Sequence, residues 1–180
     1  MRTLIDSSRL AEGIQAWAEQ VRAYYQERPL TLLGVQIGSV LLLGDLIRRL
    51  DMPLRVGMIL DRPDVRQASR PGPLVIDVDV LAPLVRGRHV LLVDDLFVTG
   101  KTFYDLVPQI DDLGPAGVRS AVLLRKQGRC QFSIQPDFVA FDVPDVFVVG
   151  YGLDYQDRHR HLPYIAALDP EEMRGEGPNP

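Results

Sequence analysis

Residues 88–102 read RHVLLVDDLFVTGKT and carry the strongest pattern in the chain. Val90–Val93 is a short apolar run, typical of a strand buried on both faces of a parallel sheet. Two carboxylates, Asp94 and Asp95, follow directly, and the amphipathic segment 103–113 predicts a helix. Ligands of open α/β sheets bind at the carboxyl edge of the strands, so this order predicts a ligand site at the turn between strand and helix.

The turn itself contains groups that bind phosphate. Residues 99–102, Thr-Gly-Lys-Thr, offer backbone N–H groups, two hydroxyls and one ammonium at a helix N-terminus, where the helix dipole also favours an anion. The two aspartates before it suit sugar hydroxyls, or a magnesium ion that bridges sugar and phosphates. The turn differs from the phosphate loop of common nucleotide triphosphatases, because no glycine stands five residues before Gly100. A plain loop and helix cap is the alternative for an acidic pair that follows a strand.

Composition narrows the class of protein. With 180 residues the chain is long enough for one domain with a substantial core, and 46% hydrophobic with 24% charged residues is an ordinary balance for a soluble protein. A net charge of −4 gives no general attraction to nucleic acid or to anionic lipid. The single Cys130 excludes an internal disulfide and indicates a reducing compartment. Since no apolar stretch has the length of a signal or a membrane span, the sequence predicts a cytoplasmic protein.

Hydrophobic periodicity predicts further elements on both sides of the central motif. Together they predict an α/β protein with an open, mostly parallel twisted sheet flanked by helices. The predicted helices are 8–27 and 40–50, and the predicted strands are 30–37, 54–60, 74–80, 118–124, 136–143 and 146–149.

Three other segments have a predicted role in the architecture. Gly38 and Ser39 lie between a predicted strand and a predicted helix, so they form a second possible anion-binding turn. Residues 61–73 are polar and charged, between two strands expected to be antiparallel; they predict a flexible lid over the site, with a surface loop as the alternative. One domain is expected over 1–168, followed by a Pro-, Gly- and charge-rich tail, 169–180, that is expected to be flexible.

The central motif resembles the phosphoribosyl-diphosphate (PRPP) motif of type I phosphoribosyltransferases. The shared pattern is four apolar residues, two acids, two or three apolar residues and Thr-Gly-x-Thr. Other segments resemble, more specifically, the hypoxanthine-guanine phosphoribosyltransferase family. They are PDFVAF at 136–141, VPD at 143–145, FVVGYGLDY at 147–155 and RHLPYI at 160–165.

The resemblance implies a reaction and its participants. It implies transfer of ribose 5-phosphate from PRPP to N9 of hypoxanthine or guanine, with release of pyrophosphate and with Mg²⁺ as the cofactor. The implied partners are these small-molecule substrates and further copies of the chain, as a homodimer or homotetramer, without nucleic acid or membrane. The implied fold adds a small hood to the sheet.

The resemblance also implies a role for individual residues. Asp94 and Asp95 would hold the ribose hydroxyls, act as the catalytic carboxylates and, together with Asp154, bind the metal ion. The residues implied to bind phosphate or pyrophosphate are Thr99, Gly100, Lys101, Thr102, Gly38, Ser39 and Arg160. Those implied to bind the purine are Gln135, Phe147, Val148 and Asp154.

Three positions depart from the family pattern. Val98 stands where the family has an aspartate that acts as the base for the purine N7 proton, and Ile37 stands where it has a lysine before the glycine of the first anion turn. Gln135 stands where a lysine contacts the purine 6-oxo group. A missing general base is worth on the order of 10²–10⁴ in rate. A slow purine phosphoribosyltransferase and a non-catalytic PRPP- or nucleotide-binding regulator therefore both remain open, whereas the acidic balance argues against an RNA-binding attenuator.

Overall fold

The computed structural model describes residues 1–60 and 74–175. Within them, the larger sheet is built from β2 (Leu30–Val35), β3 (Leu54–Ile59), β4 (His89–Phe97), β5 (Gly117–Lys126) and β6 (Phe138–Val143). These strands all pair in parallel, in the order β3-β2-β4-β5-β6. The predicted parallel sheet is confirmed, with the central motif on its middle strand.

Helices cover both faces of this sheet because successive residues of a buried strand point to opposite sides. Leu91 and Val93 of β4 face α1 (Ser7–Tyr25) and α2 (Val40–Arg49). Their neighbours Val90 and Leu92 face α3 (Val78–Val85) and α4 (Lys101–Asp111). The side chains of β4 from residue 90 to residue 93 are fully buried, so the strand contributes to two hydrophobic layers at once.

A smaller antiparallel sheet corresponds to the expected hood. It consists of β1 (Arg2–Ile5), β7 (Val148–Val149) and β8 (Ile165–Ala167), with β8 between the other two. Val148 and Ile165 are buried in the same hydrophobic cluster as α1 and α2. The smaller sheet is thereby attached to one face of the larger one.

The predicted strand at 74–80 is wrong. Residues 74–77 have no regular structure, and α3 begins at Val78, with the Asp77 carboxylate accepting a hydrogen bond from the backbone N–H of Val80. The alternation of apolar residues suggested a strand, but Val78 and Val80 are exposed. An aspartate at the N-cap and the burial of Leu81 and Val85 favour the helix instead. No antiparallel partner for β3 is formed by this segment.

The segments predicted to be flexible are only partly described. Residues 61–73, the predicted lid, lie outside the described residues, as do the last five of the predicted tail, 176–180. A short helix, α5 (Pro170–Gly175), lies within the predicted tail. Its Met173 packs against a small hydrophobic cluster, and the hydroxyl of Tyr155 donates to the Met173 carbonyl at 2.8 Å.

Thr31 links β2 to α3 and to Arg88, which precedes β4, and its hydroxyl is expected to stabilise the fold. The hydroxyl donates to the Leu84 carbonyl at 2.6 Å and accepts from Arg88 Nε at 3.0 Å, and the Thr31 side chain is fully buried. Thr31→Val should therefore lower the free energy of unfolding by about 1–3 kcal/mol, because both partners lose their hydrogen bond. Urea denaturation measures the change. Thr31→Ser, which keeps the hydroxyl, should be the more stable of the two variants; the reverse order would contradict the assignment.

Candidate functional site

The carboxyl ends of β2, β4 and β5 meet at one edge of the larger sheet, and a cavity of about 240 Å³ opens there. One wall is the turn that follows β2, and the opposite wall is formed by parts of segment 147–160. The lining residues are Gln36, Ile37, Gly38, Asp95, Leu96, Lys126, Phe147, Val148, Leu153, Asp154 and Arg160. The cavity thus brings together predicted residues for the sugar, the pyrophosphate, the purine and the metal.

The turn after β2 allows close approach of the strand that carries the acids. A Cβ atom at Gly38 would overlap the carboxylate Oδ2 of Asp95, so only glycine fits there. Ser39 is fully buried, and its hydroxyl donates to the Gln36 carbonyl at 2.9 Å. That bond occupies the hydroxyl of Ser39 within the turn. Ile37 is 54% exposed and presents an apolar side chain to the cavity.

Asp94 and Asp95 lie within β4, because the strand continues to Phe97. Asp94 is buried, and its Oδ1 accepts from the backbone N–H of Asp95 at 3.0 Å. Burial, and then the charge of Asp95, raise the pKa of Asp94 well above its ordinary value. Burial also raises the pKa of Asp95 to about 6, against the opposing effect of its hydrogen bond with Asp94. Two carboxylates are therefore held where the free protein stabilises their charge poorly, which suits a cationic ligand.

The phosphate turn follows the end of the same strand, and residues 99–102 are not among those that line the cavity. Gly100 has a φ of 89°, and α4 starts at the next residue. The backbone N–H groups of Gln131 and Phe132 donate to the Thr99 carbonyl at 3.0 and 3.2 Å. The ammonium of Lys101 lies 2.5 Å from an Asp105 carboxylate oxygen, one turn along the helix. The turn stands at the N-terminus of α4, and the segment after β5 fixes its Thr99 carbonyl by these two hydrogen bonds.

Arg160 and Asp154 lie on the wall of the cavity opposite the turn that follows β2. Their side chains form an ion pair with Arg160 Nη2 2.9 Å from Asp154 Oδ1, while Arg160 Nη1 donates to the Gly152 carbonyl at 2.8 Å. Hydrogen bonds to both ends of the guanidinium fix its plane. Arg160 lines the same cavity as Asp95, and its positive charge opposes the rise in the pKa of Asp95.

An aromatic side chain closes another side of the cavity. Phe147 is 40% exposed, with its ring edge-on to Tyr155 at a centroid distance of 5.3 Å. Val148 follows on β7 and is buried. An exposed aromatic face beside a strand backbone can stack on a flat ring and hydrogen-bond its edge.

Gln135 does not reach this cavity, whereas Lys126 does. Gln135 is exposed, and its side-chain amide donates to the Cys130 Sγ at 2.9 Å. Lys126, the last residue of β5, lines the cavity with a side chain only 13% exposed, and its ammonium lies 3.5 Å from Asp145. Lys126 was assigned no role from the sequence. Its place at the carboxyl end of a parallel strand was the signal that could have identified it.

The three predicted metal ligands do not form a cation cage by themselves. In residues 1–60 and 74–175, no group of three or more His, Cys, Asp or Glu side chains is arranged to hold a metal ion. Asp95 and Asp154 do line the same cavity. That arrangement fits Mg²⁺, which commonly takes one or two carboxylates and completes its shell with water and substrate phosphates.

Of the helices in the described ranges, none has the length and apolarity that a bilayer crossing requires.

Comparison with known proteins finds one family. Its model, described as the phosphoribosyl transferase domain, matches residues 3–156. The hypoxanthine-guanine phosphoribosyltransferase of Streptococcus pneumoniae is 30% identical over 170 residues, which cover 94% of each chain. The bifunctional protein TilS/HprT of Listeria innocua is 35% identical over 94% of this chain, which spans only 26% of that protein. A hypoxanthine-guanine phosphoribosyltransferase structure from Bacillus anthracis superposes with a TM-score of 0.82 at 27% identity, covering 94% of this chain and 99% of the other.

The raised pKa of Asp95 predicts a pH-dependent gain in stability for Asp95→Asn. A carboxyl whose folded-state pKa lies above its unfolded value supports folding fully below the unfolded value, near 4, and loses that contribution as the pH rises through about 6. Asparagine stays neutral, so without divalent cations the free energy of unfolding of the variant should exceed that of the wild type by about 3 kcal/mol at pH 8 and by nothing at pH 4.

Chemical denaturation at the two pH values measures this difference. Glu12→Gln is the matched control, because Glu12 is an exposed acid on α1 and should show no such pH dependence. A gain of equal size at pH 4 and pH 8 would mean that the charge of Asp95 is not the cause.

Proposed function

Because the chain belongs to the phosphoribosyl transferase domain family, we propose that it is a purine phosphoribosyltransferase. In this proposal it transfers ribose 5-phosphate from PRPP to N9 of hypoxanthine or guanine and releases pyrophosphate. The observation that carries the proposal is the single cavity in which Asp95 and Arg160 lie together with Lys126 and Phe147. Carboxylates for a sugar, a guanidinium for an anion and an aromatic ring with an ammonium for a base are the groups that this reaction needs.

The sugar phosphate would bind along the end of β4. The 5-phosphate would occupy the Thr99–Thr102 turn, where backbone N–H groups at the start of α4 favour an anion. The ribose hydroxyls would lie against Asp94 and Asp95. As the bond from C1 of the ribose to pyrophosphate breaks, positive charge develops on the ring, and carboxylates fixed beside it stabilise that charge without rearranging.

The pyrophosphate would lie between the two walls of the cavity. Arg160 offers a planar pair of donors, and the turn that contains Gly38 offers a close approach to backbone. Mg²⁺ would be held by Asp154 with Asp94 and Asp95, and it would supply positive charge against the negative charge of pyrophosphate. Asp154 pairs with Arg160 in the described structure, so one carboxylate orients the guanidinium and is also available to a cation.

The purine would occupy the side of the cavity that contains Phe147. Its ring would stack on Phe147, and the main chain of Val148 would hydrogen-bond the edge of the base. Lys126 is the proposed donor to the 6-oxo group, in place of Gln135, because its nearly buried ammonium lines this cavity. A buried ammonium paired only loosely with Asp145, at 3.5 Å, gains from an additional carbonyl acceptor.

A non-catalytic nucleotide-binding regulator is the second candidate. Val98, half-buried at the end of β4, has no group that accepts the purine N7 proton, and Ile37 gives the cavity no charge for pyrophosphate. Both changes remove chemistry and leave the phosphate turn and the acidic pair intact. This candidate would bind PRPP or a nucleotide without turning it over.

The first test concerns the metal dependence of PRPP binding. The substrate brings several negative charges next to two buried carboxylates, so without a divalent cation the site should repel it. Calorimetry should show PRPP binding with Mg²⁺ and a loss of at least about tenfold in affinity with a chelator. Asp154→Ala should weaken binding similarly, whereas Asp112→Ala, at an exposed side chain that follows α4 and does not line the cavity, should not. Equal affinity with and without Mg²⁺ would refute the metal site.

The second test concerns turnover and Val98. Incubation with PRPP, Mg²⁺ and hypoxanthine or guanine should yield a purine nucleoside monophosphate and pyrophosphate, at a low rate because position 98 lacks a base. Val98→Asp should raise kcat by roughly tenfold or more, with the KM for PRPP largely unchanged, since the phosphate turn is untouched.

The same assay separates the two candidate functions. PRPP binding with no turnover by the wild type, for any purine, would favour the regulator. Fast wild-type turnover that Val98→Asp leaves unchanged would show that the proton is accepted elsewhere. Ile37→Lys, alone and combined with Val98→Asp, shows whether the two departures act independently.

A further inference from the structure

The two walls of the cavity are in direct contact through the backbones of Gly38 and Gly152. Residues 150, 151 and 152 all have positive φ, at 98°, 50° and 99°. A Cβ atom at Gly152 would overlap the carbonyl oxygen of Gly38, so the backbones of the two turns are in direct contact. Asp154 and Arg160, which line the cavity, come after the turn at 150–152 in the chain. Ile37 and Gly38, which also line it, belong to the turn after β2.

Tyr151, in the turn at 150–152, contacts the helix that follows the opposite wall. The hydroxyl of Tyr151 donates a hydrogen bond to Oδ2 of Asp45 on α2, the helix that starts directly after the turn at 37–39. The Asp45 side chain is only 16% exposed and also pairs with Arg49 at 3.2 Å and with Arg48. The bond therefore joins a turn in a conformation unfavourable for tyrosine to a carboxylate that is itself held in place.

We propose that Asp45 and Tyr151 are positioning residues, which fix the spacing between the two walls of the cavity and hence the binding of the pyrophosphate part of PRPP. Neither residue is among those that line the cavity, so the effect passes through Gly152 and Gly38. The proposal rests on the proposed phosphoribosyl transfer. It goes beyond that function by giving a role to two residues to which the family resemblance assigned none.

The chemistry of the pair suits a permanent link. Burial, and then the hydrogen bond to Asp45, raise the pKa of Tyr151, so its hydroxyl remains a donor at neutral and alkaline pH. The acceptor side chain is also held by Arg49, whose guanidinium pairs with Asp45 Oδ1 at 3.2 Å. A link of this kind holds the walls together before substrate arrives.

A purely structural role predicts different kinetics from a positioning role. Loss of a structural contact reduces the fraction of folded enzyme, which lowers kcat and leaves KM unchanged. Loss of the spacing between the walls displaces Arg160 from Gly38, which raises the KM for PRPP while kcat for bound substrate changes little. The two roles are thus separated by one set of measurements on the whole protein.

The experiment uses Tyr151→Phe, which removes only the hydroxyl, together with Asp45→Asn and the double variant. Tyr151→Phe should raise the KM for PRPP about five- to tenfold with kcat within about twofold, as expected for loss of a hydrogen bond to a charged group. The double variant should be no worse than the more affected single variant, because both changes remove the same link. Arg48→Gln is the control: it removes a partner of Asp45 that is 73% exposed and should leave KM unchanged.

Amide hydrogen exchange provides a readout that does not depend on turnover. The backbone N–H of Gly152 donates to the Arg160 carbonyl at 3.0 Å within the turn, and Tyr151→Phe should speed its exchange about tenfold, while Arg48→Gln should not. If the wild type shows no turnover, the proposed function is wrong, but the exchange rate of Gly152 still tests whether Tyr151 and Asp45 hold the two walls together. Unchanged exchange at Gly152, or an unchanged KM in an active enzyme, overturns the inference.

Discussion

Strand β4 is buried on both faces, and it pairs in parallel with β2 on one side and β5 on the other. Its alternating side chains join two hydrophobic layers, each with its own pair of helices. Because the same strand continues past its apolar part into Asp94 and Asp95, the packing that holds the core also fixes the acids. Any shift of β4 by one residue would exchange its two faces and remove the acids from the site.

The buried acids are a cost that the free protein carries for the site. Carboxylates in a β-sheet interior lose hydration, and here two lie next to each other, so their raised pKa values follow from their position. Arg160 offsets part of this cost across the cavity. A cationic ligand, or positive charge that develops during the reaction, would stabilise the buried negative charge that remains. The folding of β4 is in this way connected to the chemistry proposed for the cavity.

Much of the architecture could be predicted from local patterns, because most elements carry their own periodicity. The parallel sheet, the central motif and the place of Phe147, Asp154 and Arg160 at one cavity followed from strand order and from the family resemblance. The segment 74–80 was mispredicted because alternating apolar residues fit a strand equally well until their burial is known. Local pattern competed there with the N-cap of a helix, and the cap was decisive.

The contacts that join distant parts of the chain could not be predicted in this way. The purine contact was predicted for Gln135, whereas Lys126 is identified only by its place in the cavity, because sequence does not show which side chain points inward. The bond between Tyr151 and Asp45 connects residues 106 positions apart, and no sequence motif marks their pairing. Backbone conformations such as the positive φ of Tyr151 are likewise set by packing, since tyrosine has no intrinsic preference for them.

The parallel pairing of β4 with β2 also has a consequence for the time course of folding. Leu30 pairs with His89, so the intervening α2, β3 and α3 must be spanned before this central ladder can form. Pairings between residues so far apart in sequence require closure of a long loop before any contact is gained, and this slows the search for the native state. During that search the apolar run of β4 stays exposed to other chains. Apolar strands of this kind promote association between chains for as long as they remain unpaired.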